Sequence, residues 1–173
     1  MSAEPPYDLP AEWGDERRRE ITWHDPTVGA AAGRGLAGRD YLTAMIEGRL
    51  PPPPIAQTLG FTLSRIADGE VWFTCEPHES HYNPIGLVHG GLVCTLLDTV
   101  TGCAVHTTLP VGVGYTSIEI KVNYLRPVRA GIELTAHGWV VKPGRRVAFA
   151  EADVRGPDGA VLATASSSCL VMG

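Results

Sequence analysis

The sequence lacks the features that mark membrane, secreted and disulfide-rich proteins. Its 173 residues contain no run of roughly 18 apolar residues, so we expect no membrane-spanning helix. The segment from Met1 to Arg19 is polar and acidic and has no apolar stretch of the kind that secretory signals carry. The four cysteines form no C-x-x-C pair, and each lies in an apolar context that suits a reduced thiol. These absences predict a soluble, cytoplasmic protein.

Positive charge and motifs for cofactors or nucleophiles are also scarce. The chain has 14 Lys and Arg against 19 Asp and Glu, a formal net charge of −5, whereas nucleic-acid-binding domains are usually basic. It contains no phosphate-binding P-loop and no G-x-S-x-G nucleophile elbow, and its histidines and cysteines match no closed zinc pattern. We therefore expect no bound cofactor, no metal, no nucleic-acid partner and no membrane partner.

The pattern beyond residue 54 is that of a β-rich domain with one long helix. Six segments have strand patterning and are separated by turn signals such as Asp68-Gly69 and Pro143-Gly144. These strands are expected at 61–66, 71–75, 115–125, 132–141, 147–154 and 161–171. The segment His89–Leu109 is apolar around nearly its whole helical circumference, which predicts a helix buried on most sides. We therefore predict an α+β fold with a six-stranded, largely antiparallel sheet wrapped around one long buried helix.

Residues 1–54 differ in composition and are expected to form an N-terminal extension of the domain 55–173. The charged run Asp15–Glu20 should be a solvated face or a disordered lead. Asp40 is the candidate N-cap of a short helix that Gly48 ends, and the tetraproline that follows favours an extended, polyproline-like chain. We expect this helix and the tetraproline to pack on the domain rather than to recruit a partner that has an aromatic groove.

An acidic residue, Asp98, lies in the middle of the predicted apolar helix. Burying an unpaired carboxylate is costly, and Asp is a poor residue for a helix interior. Either the carboxylate reaches a hydrogen-bonding neighbour or an interface edge, or it is a nucleophile or general base in a dry site. We favour the second interpretation.

The loop before the helix, Asn83–Gly91, reads NPIGLVHGG and places two glycines at the helix start. Two glycines at a helix start lose much conformational entropy on folding. Their presence therefore indicates that another group approaches the backbone closely there. The first N–H groups of a helix have no internal acceptor and carry a partial positive charge. Gly90 and Gly91 therefore form a candidate oxyanion site for a polarised carbonyl.

The spacing of these two features constrains the assembly. Gly90 and Asp98 are eight residues apart, which corresponds to about 12 Å along a helix axis. One carbonyl cannot contact both groups on the same helix. If both act on one carbonyl, Asp98 must come from a second chain, so this hypothesis predicts a two-fold dimer with two shared sites and antiparallel helices.

These motifs resemble those of the hotdog-fold acyl-CoA thioesterases, and most closely the PaaI-like branch of the phenylacetate-degradation type. The resemblance rests on Asn83–Gly86, His89–Gly91, Asp98, the segment TSIE at 116–119 and the segment NYLRP at 123–127. It extends from about Ile55 to the C-terminus. It implies hydrolysis of an acyl-CoA thioester to free acid and coenzyme A by a homodimer or a homotetramer built as a dimer of dimers.

The resemblance also implies roles for individual residues. Asp98 resembles the carboxylate that activates water or attacks the thioester carbon directly, and the Gly90 N–H resembles the oxyanion donor. Gly91 would bind the substrate beside it. Asn83 would orient the thioester or the water, and His89 would fix the loop rather than transfer protons.

The hydroxyl partner of the carboxylate is ambiguous in the sequence. Ser117 matches the family's strand hydroxyl that holds the attacking water. Strict alternation along the strand, however, places Thr116 rather than Ser117 on the side that faces the helix. A bulge near the strand start would reverse this, so both residues stay candidates.

A local surplus of positive charge follows this strand. Between Lys121 and Arg146 the sequence has six basic residues and one acid, Glu133. The candidates for a rim that binds the phosphates of coenzyme A are Arg126, Arg129, Arg145 and Arg146. The alternative is that these arginines are solvated turn charges.

A different class of function is a hotdog module that binds acyl-CoA as a sensor or regulator without turning it over. Asp98 and the paired glycines favour turnover, because a pure binder needs no buried acid. Aromatic, medium-chain and branched acyl groups are all compatible with the sequence, and so are coenzyme A and an acyl-carrier protein as the carrier.

Overall fold

The computed structural model describes residues 13–173, and its centre is a six-stranded sheet with one long helix packed against it. The strands are β1 (Phe61–Ala67), β2 (Glu70–Cys75), β3 (Gly114–Tyr124), β4 (Leu134–Lys142), β5 (Val147–Arg155) and β6 (Val161–Met172). Within these residues the α-helices are α1 (Pro26–Gly33), α2 (Gly38–Ile46), α3 (Pro54–Leu59) and α4 (Gly90–His106). The sheet order is β1-β2-β4-β5-β6-β3, and every neighbouring pair is antiparallel. The predicted hotdog architecture is confirmed.

Helix α4 crosses the sheet at Gly138 of β4. A Cβ on Gly138 would collide with the carbonyl of Val100, so the glycine lets the helix approach the strand closely. Leu96, Leu97 and Val100 face the sheet and are fully buried. The helix ends at His106, three residues before its predicted end. No helix among the described residues, α4 included, is long and apolar enough to span a membrane.

The extension contains more helix than the sequence pattern predicted. Helix α3 begins at Pro54, because proline is well tolerated in the first turn, so the predicted extended segment ends one residue early. The prediction that Asp40 is an N-cap is wrong. The cap position is Ala37, which has no capping side chain, and Asp40 lies in the first turn, where its charge is favourable to the helix dipole. The run Asp15–Glu20 is exposed throughout.

Helix α2 is part of the main hydrophobic core. Leu42 and Ala44 are each 1% exposed, and Leu42 belongs to the cluster formed by the first strands and α4. The extension therefore contributes core side chains to the domain. The division of the chain at residue 54 stays a prediction.

The segment between α1 and α2, Gly33–Gly38, reads GRGLAG and has the letters of the G-x-G-x-x-G dinucleotide-binding fingerprint. That fingerprint connects a strand to a helix, whereas this segment connects two helices. The N–H of Gly38 donates to the carbonyl of Leu109 at 3.0 Å. A Cβ on Gly38 would collide with the backbone of His106. Gly38 therefore serves a close contact between the extension and the end of α4.

Replacing Leu42 with alanine tests whether α2 belongs to the core. We expect Leu42→Ala to lower the free energy of unfolding by about 2–5 kcal/mol, because it leaves a cavity among buried side chains. Ile46→Ala on the same helix is the control, since Ile46 is 41% exposed, and its effect should stay within about 0.5 kcal/mol. Urea denaturation at one protein concentration measures both. Equal, small effects would show that α2 is not part of the core.

Candidate active site

The loop before α4 is held in shape by Asn83. Its side-chain oxygen accepts hydrogen bonds from the N–H groups of Ile85 at 3.1 Å and Leu87 at 3.2 Å. The backbone N–H of Asn83 also donates to the carbonyl of Leu87 at 2.8 Å. A bridge between Tyr82 and Val88 closes the base of the loop. In this arrangement the Asn83 side-chain oxygen organises the loop from within.

His89 caps the first turn of α4. Its Nδ1 accepts a hydrogen bond from the N–H of Gly91 at 2.8 Å, and its own N–H donates to the carbonyl of His81 at 2.8 Å. His89 therefore already accepts the hydrogen bond of the Gly91 N–H, and a role for Gly91 in binding substrate stays a prediction. In the part of the chain that the structure describes, the Gly90 N–H has no hydrogen-bond acceptor. Gly90 is thus the free donor at the start of the helix.

Neighbouring side chains of the same chain explain why positions 90 and 91 are both glycine. A Cβ on Gly91 would lie 2.9 Å from Nδ1 of His89. A Cβ on Gly90 would lie 3.1 Å from Cζ of Tyr124, whose hydroxyl donates to the Gly90 carbonyl at 2.9 Å. The close approach that the glycine pair predicts is therefore made by His89 and Tyr124. Tyr124 was not predicted as a site residue, because its contact with the helix start depends on the packing of β3.

Asp98 is held by Ser117. The Ser117 hydroxyl donates to Oδ1 of Asp98 at 2.7 Å. The pairing of β3 with β6 shifts register between Ser117 and Glu119, and this bulge changes which residues face α4. Thr116 is exposed. The bulge therefore resolves the ambiguity of the strand pattern, because it turns Ser117 toward the carboxylate.

Asp98 lies on the one stripe of α4 that the sheet does not cover. Cys94, Thr95, Asp98 and Thr99 are all only partly buried. They lie on the side of β3, which is the last strand of the sheet. The predicted helix buried on most sides is confirmed, whereas the Asp98 carboxylate is only partly buried in the single chain. The physical reason is that an edge strand has no further strand beside it to cover the helix.

Two cavities meet at the Asp98–Ser117 pair. One has a volume of about 450 Å³ and extends between α2, α4 and the first strands. Its lining includes Tyr41, Met45, Phe73 and Cys103. The other has a volume of about 430 Å³ and lies along β3 beside Cys94 and Glu119. The carboxylate thus lies between a largely apolar cavity and a more polar one.

The groups at the inner end of the first cavity are poorly solvated. Burial raises the pKa of the Cys103 thiol to about 12 and raises the pKa of Tyr115 well above its usual value. Burial also lowers the pKa of His106, whose ring lies between those of Tyr41 and Tyr115 at 5.6 and 5.5 Å. These groups are therefore uncharged at neutral pH, and Cys103 is unsuited to act as a nucleophile.

The four candidate arginines do not form one cluster within the chain. Arg126 and Arg129 follow β3, at the end of the sheet that also holds Gly90. Arg145 and Arg146 lie in the turn between β4 and β5 at the opposite end. Strand β4 has nine residues, which separates the two pairs by about 30 Å. All four arginines are exposed.

The described residues contain no group of three His, Cys, Asp or Glu side chains placed to hold a metal ion. The histidines His78 and His81 instead hydrogen-bond within their own turn, where His81 Nδ1 accepts from the His78 N–H at 3.1 Å.

Known proteins share this arrangement of sheet and helix. The family model of the thioesterase superfamily matches residues 85–163, which include Gly90, Asp98 and Ser117. A Halobacterium salinarum protein named as an esterase is 35% identical over 123 residues, covering 68% of this chain and 80% of its own. Human acyl-coenzyme A thioesterase 13 is 31% identical over 117 residues, covering 67% of this chain and 80% of its own.

A solved structure also resembles this chain, in both fold and sequence. A Ralstonia eutropha protein, described as a thioesterase related to phenylacetic acid degradation, superposes with a TM-score of 0.70 and 30% identity. The match covers 75% of this chain and 98% of that one. The resemblance to PaaI-like hotdog thioesterases is therefore confirmed. The chain belongs to the thioesterase superfamily and is a thioester hydrolase with the hotdog fold.

Proposed function

We propose that the protein hydrolyses an acyl-CoA thioester to a free acid and coenzyme A, at a site shared by two copies of the chain. The observation that carries this proposal is the Asp98–Ser117 hydrogen bond of 2.7 Å at the junction of two cavities. An apolar cavity on one side suits the acyl group, and the more open cavity suits the carrier. The similarity to acyl-coenzyme A thioesterase 13 supports coenzyme A as that carrier.

The carboxylate has two ways to begin the reaction. Ser117 donates to Oδ1 of Asp98 and leaves Oδ2 for another partner. As a general base, Asp98 takes a proton from water while the water oxygen bonds to the thioester carbon. The tetrahedral intermediate then collapses, the carbon–sulfur bond breaks, and the proton passes to the leaving thiolate. As a nucleophile, Asp98 instead bonds to the carbonyl carbon, the carbon–sulfur bond breaks and the coenzyme A thiolate leaves. Water then hydrolyses the resulting anhydride to the free acid and the Asp98 carboxylate, and the proton released passes to the thiolate.

The oxyanion of this intermediate needs a donor that Asp98's own helix does not place nearby. The free N–H of Gly90 is suited to that task. Because α4 is continuous from Gly90 to His106, about 12 Å of helix separates Gly90 from Asp98. A partner helix running antiparallel brings its Gly90 to this chain's Asp98. This supports a homodimer, and a dimer of dimers is compatible with it.

The same antiparallel pairing bears on the arginines. It places the end of one chain that carries Arg126 and Arg129 beside the end of the partner that carries Arg145 and Arg146. A phosphate-binding rim for coenzyme A is therefore proposed as a feature of the dimer rather than of the single chain. The cytoplasmic location inferred from the sequence stays a prediction.

Asp98→Asn tests the carboxylate. The change is nearly isosteric, so we expect the fold to persist and kcat/KM to fall by about 10²–10⁴-fold, as expected for loss of general base help. Release of free coenzyme A from acetyl-, octanoyl-, palmitoyl-, phenylacetyl- and benzoyl-CoA measures it. Asp40→Asn, at an exposed position of α2, is the control and should retain full activity. Undiminished turnover by Asp98→Asn would remove Asp98 from the mechanism, and tight binding without turnover by the unaltered protein would indicate a binding module.

A pair of alanine variants tests the role of the bulge. Ser117→Ala removes a hydrogen bond to a charged group, which is typically worth about 1.5–3 kcal/mol, so kcat/KM should fall by roughly 10–100-fold. Thr116→Ala should remain within about twofold of the unaltered protein, because Ser117 rather than Thr116 donates to Asp98, although Thr116 lines the same cavity. The reverse order of effects would show that the hydroxyl of Thr116 serves the site.

Mixing two inactive variants tests whether the site is shared. Gly90→Pro removes the N–H at the first helical position, where proline is tolerated, and Gly90→Ala keeps that N–H as its control. Neither Gly90→Pro nor Asp98→Asn should be active alone. After unfolding and refolding together, half of the dimers are mixed and each has one intact site, so about a quarter of full activity should return. No recovery, with mixed dimers shown by mass spectrometry, would place both groups of a site in one chain.

A further inference from the structure

The wall of the apolar cavity comes in part from the N-terminal extension. The residues that the extension contributes are Tyr41, Leu42, Met45 and Pro53, and Ile55 follows directly after it. The same cavity reaches Asp98 and Ser117. The extension can therefore shape the pocket next to the reacting carboxylate.

Helix α2 is fixed in place at this cavity. Gly38, at its start, donates its N–H to the carbonyl of Leu109 at 3.0 Å. The ring of Tyr41 lies 5.6 Å from that of His106, at the end of α4. Leu42, one residue further along, is 1% exposed. Helix α2 is anchored at its start and along its buried face, so it does not move aside when a ligand enters the cavity. Its side chains therefore limit the length of the acyl group that fits.

Among the α2 side chains that line the cavity, Met45 is the one that we expect to set this length limit. It lies four residues after Tyr41, so both side chains are on the same face of α2, and both line the cavity. Tyr41 is braced against His106, whereas Met45 is partly buried. The next residue, Ile46, is 41% exposed and does not line the cavity.

We propose that α2 forms the end wall of the acyl pocket and that Met45 sets the longest acyl group that the enzyme accepts. This inference rests on the proposed acyl-CoA hydrolysis. The pocket's class of ligand is an uncharged, compact acyl group. Among residues 13–173, the charged or titratable acid and base side chains of the lining are Asp98 and His106, and burial lowers the pKa of His106. An acyl group ending in a carboxylate therefore finds no counter-ion among these residues.

The test is an acyl-length profile for variants of Met45. The substrates are acetyl-, hexanoyl-, decanoyl- and palmitoyl-CoA, with adipoyl-CoA as the carboxylate-ended match to hexanoyl-CoA. Each kcat/KM value is divided by that of the same variant on acetyl-CoA, which has the shortest acyl group of the series. This ratio cancels any general loss of folded enzyme. Ile46→Ala is the matched control.

The two variants should shift the profile in opposite directions. Met45→Ala should raise the ratio for the first chain length that the unaltered enzyme rejects by about 10-fold or more, since a single methylene in a tight pocket is worth roughly 10–200-fold. Met45→Phe should lower the ratio for the longest accepted chain by a similar factor. Ile46→Ala should leave every ratio within about twofold, and adipoyl-CoA should be used at least about 10-fold less well than hexanoyl-CoA.

The outcomes separate the inference from the proposed function. Turnover with the same length profile in both Met45 variants would overturn the assignment of α2 as the end wall. Efficient use of adipoyl-CoA would overturn the assignment of an uncharged acyl group. Absence of turnover by the unaltered protein on every acyl-CoA would overturn the proposed function, and this inference with it.

Discussion

The rigidity of α4 between Gly90 and Asp98 is the constraint on which the site depends. The helix is seated on β4 at Gly138, and its buried face is fixed by side chains such as Leu97 and Val100. A helix packed in this way does not bend to bring its first N–H group to a carboxylate two turns further on. The distance of about 12 Å is therefore a fixed property of the chain, and it separates the free donor from the acid.

The parts of the fold that sequence pattern predicts are those that depend on burial. Strand alternation and the apolar circumference of α4 report directly which side chains leave water, so the six strands, the long helix and the hotdog architecture follow from them. The position of Ser117 does not follow, because the bulge between Ser117 and Glu119 arises from the pairing of β3 with β6. A shift of one residue reverses the face of a strand, so a local pattern that omits the partner strand favours Thr116.

Contacts between distant segments account for the other differences. The glycines at 90 and 91 indicate a close approach, but only the fold shows that Tyr124 and His89 are the approaching groups. The arginines at 126 and 146 are close in sequence, yet a whole strand separates them in space. Residue types thus indicate candidate chemistry for the site, whereas the geometry of the site required knowledge of which segments meet.

The site depends on contacts within one chain and, in the proposed mechanism, on contacts between two chains. The wall of the apolar cavity is built within one chain, because Leu42 of α2 is anchored in the core beside β1 and α4. The proposed oxyanion donor, Gly90, lies at the start of α4, and in the proposed mechanism it comes from a second chain. If both proposals hold, substitutions on α2 change which acyl group fits without disturbing the contact between chains. The edge position of β3 leaves Asp98 partly exposed and so accessible to both proposed contacts.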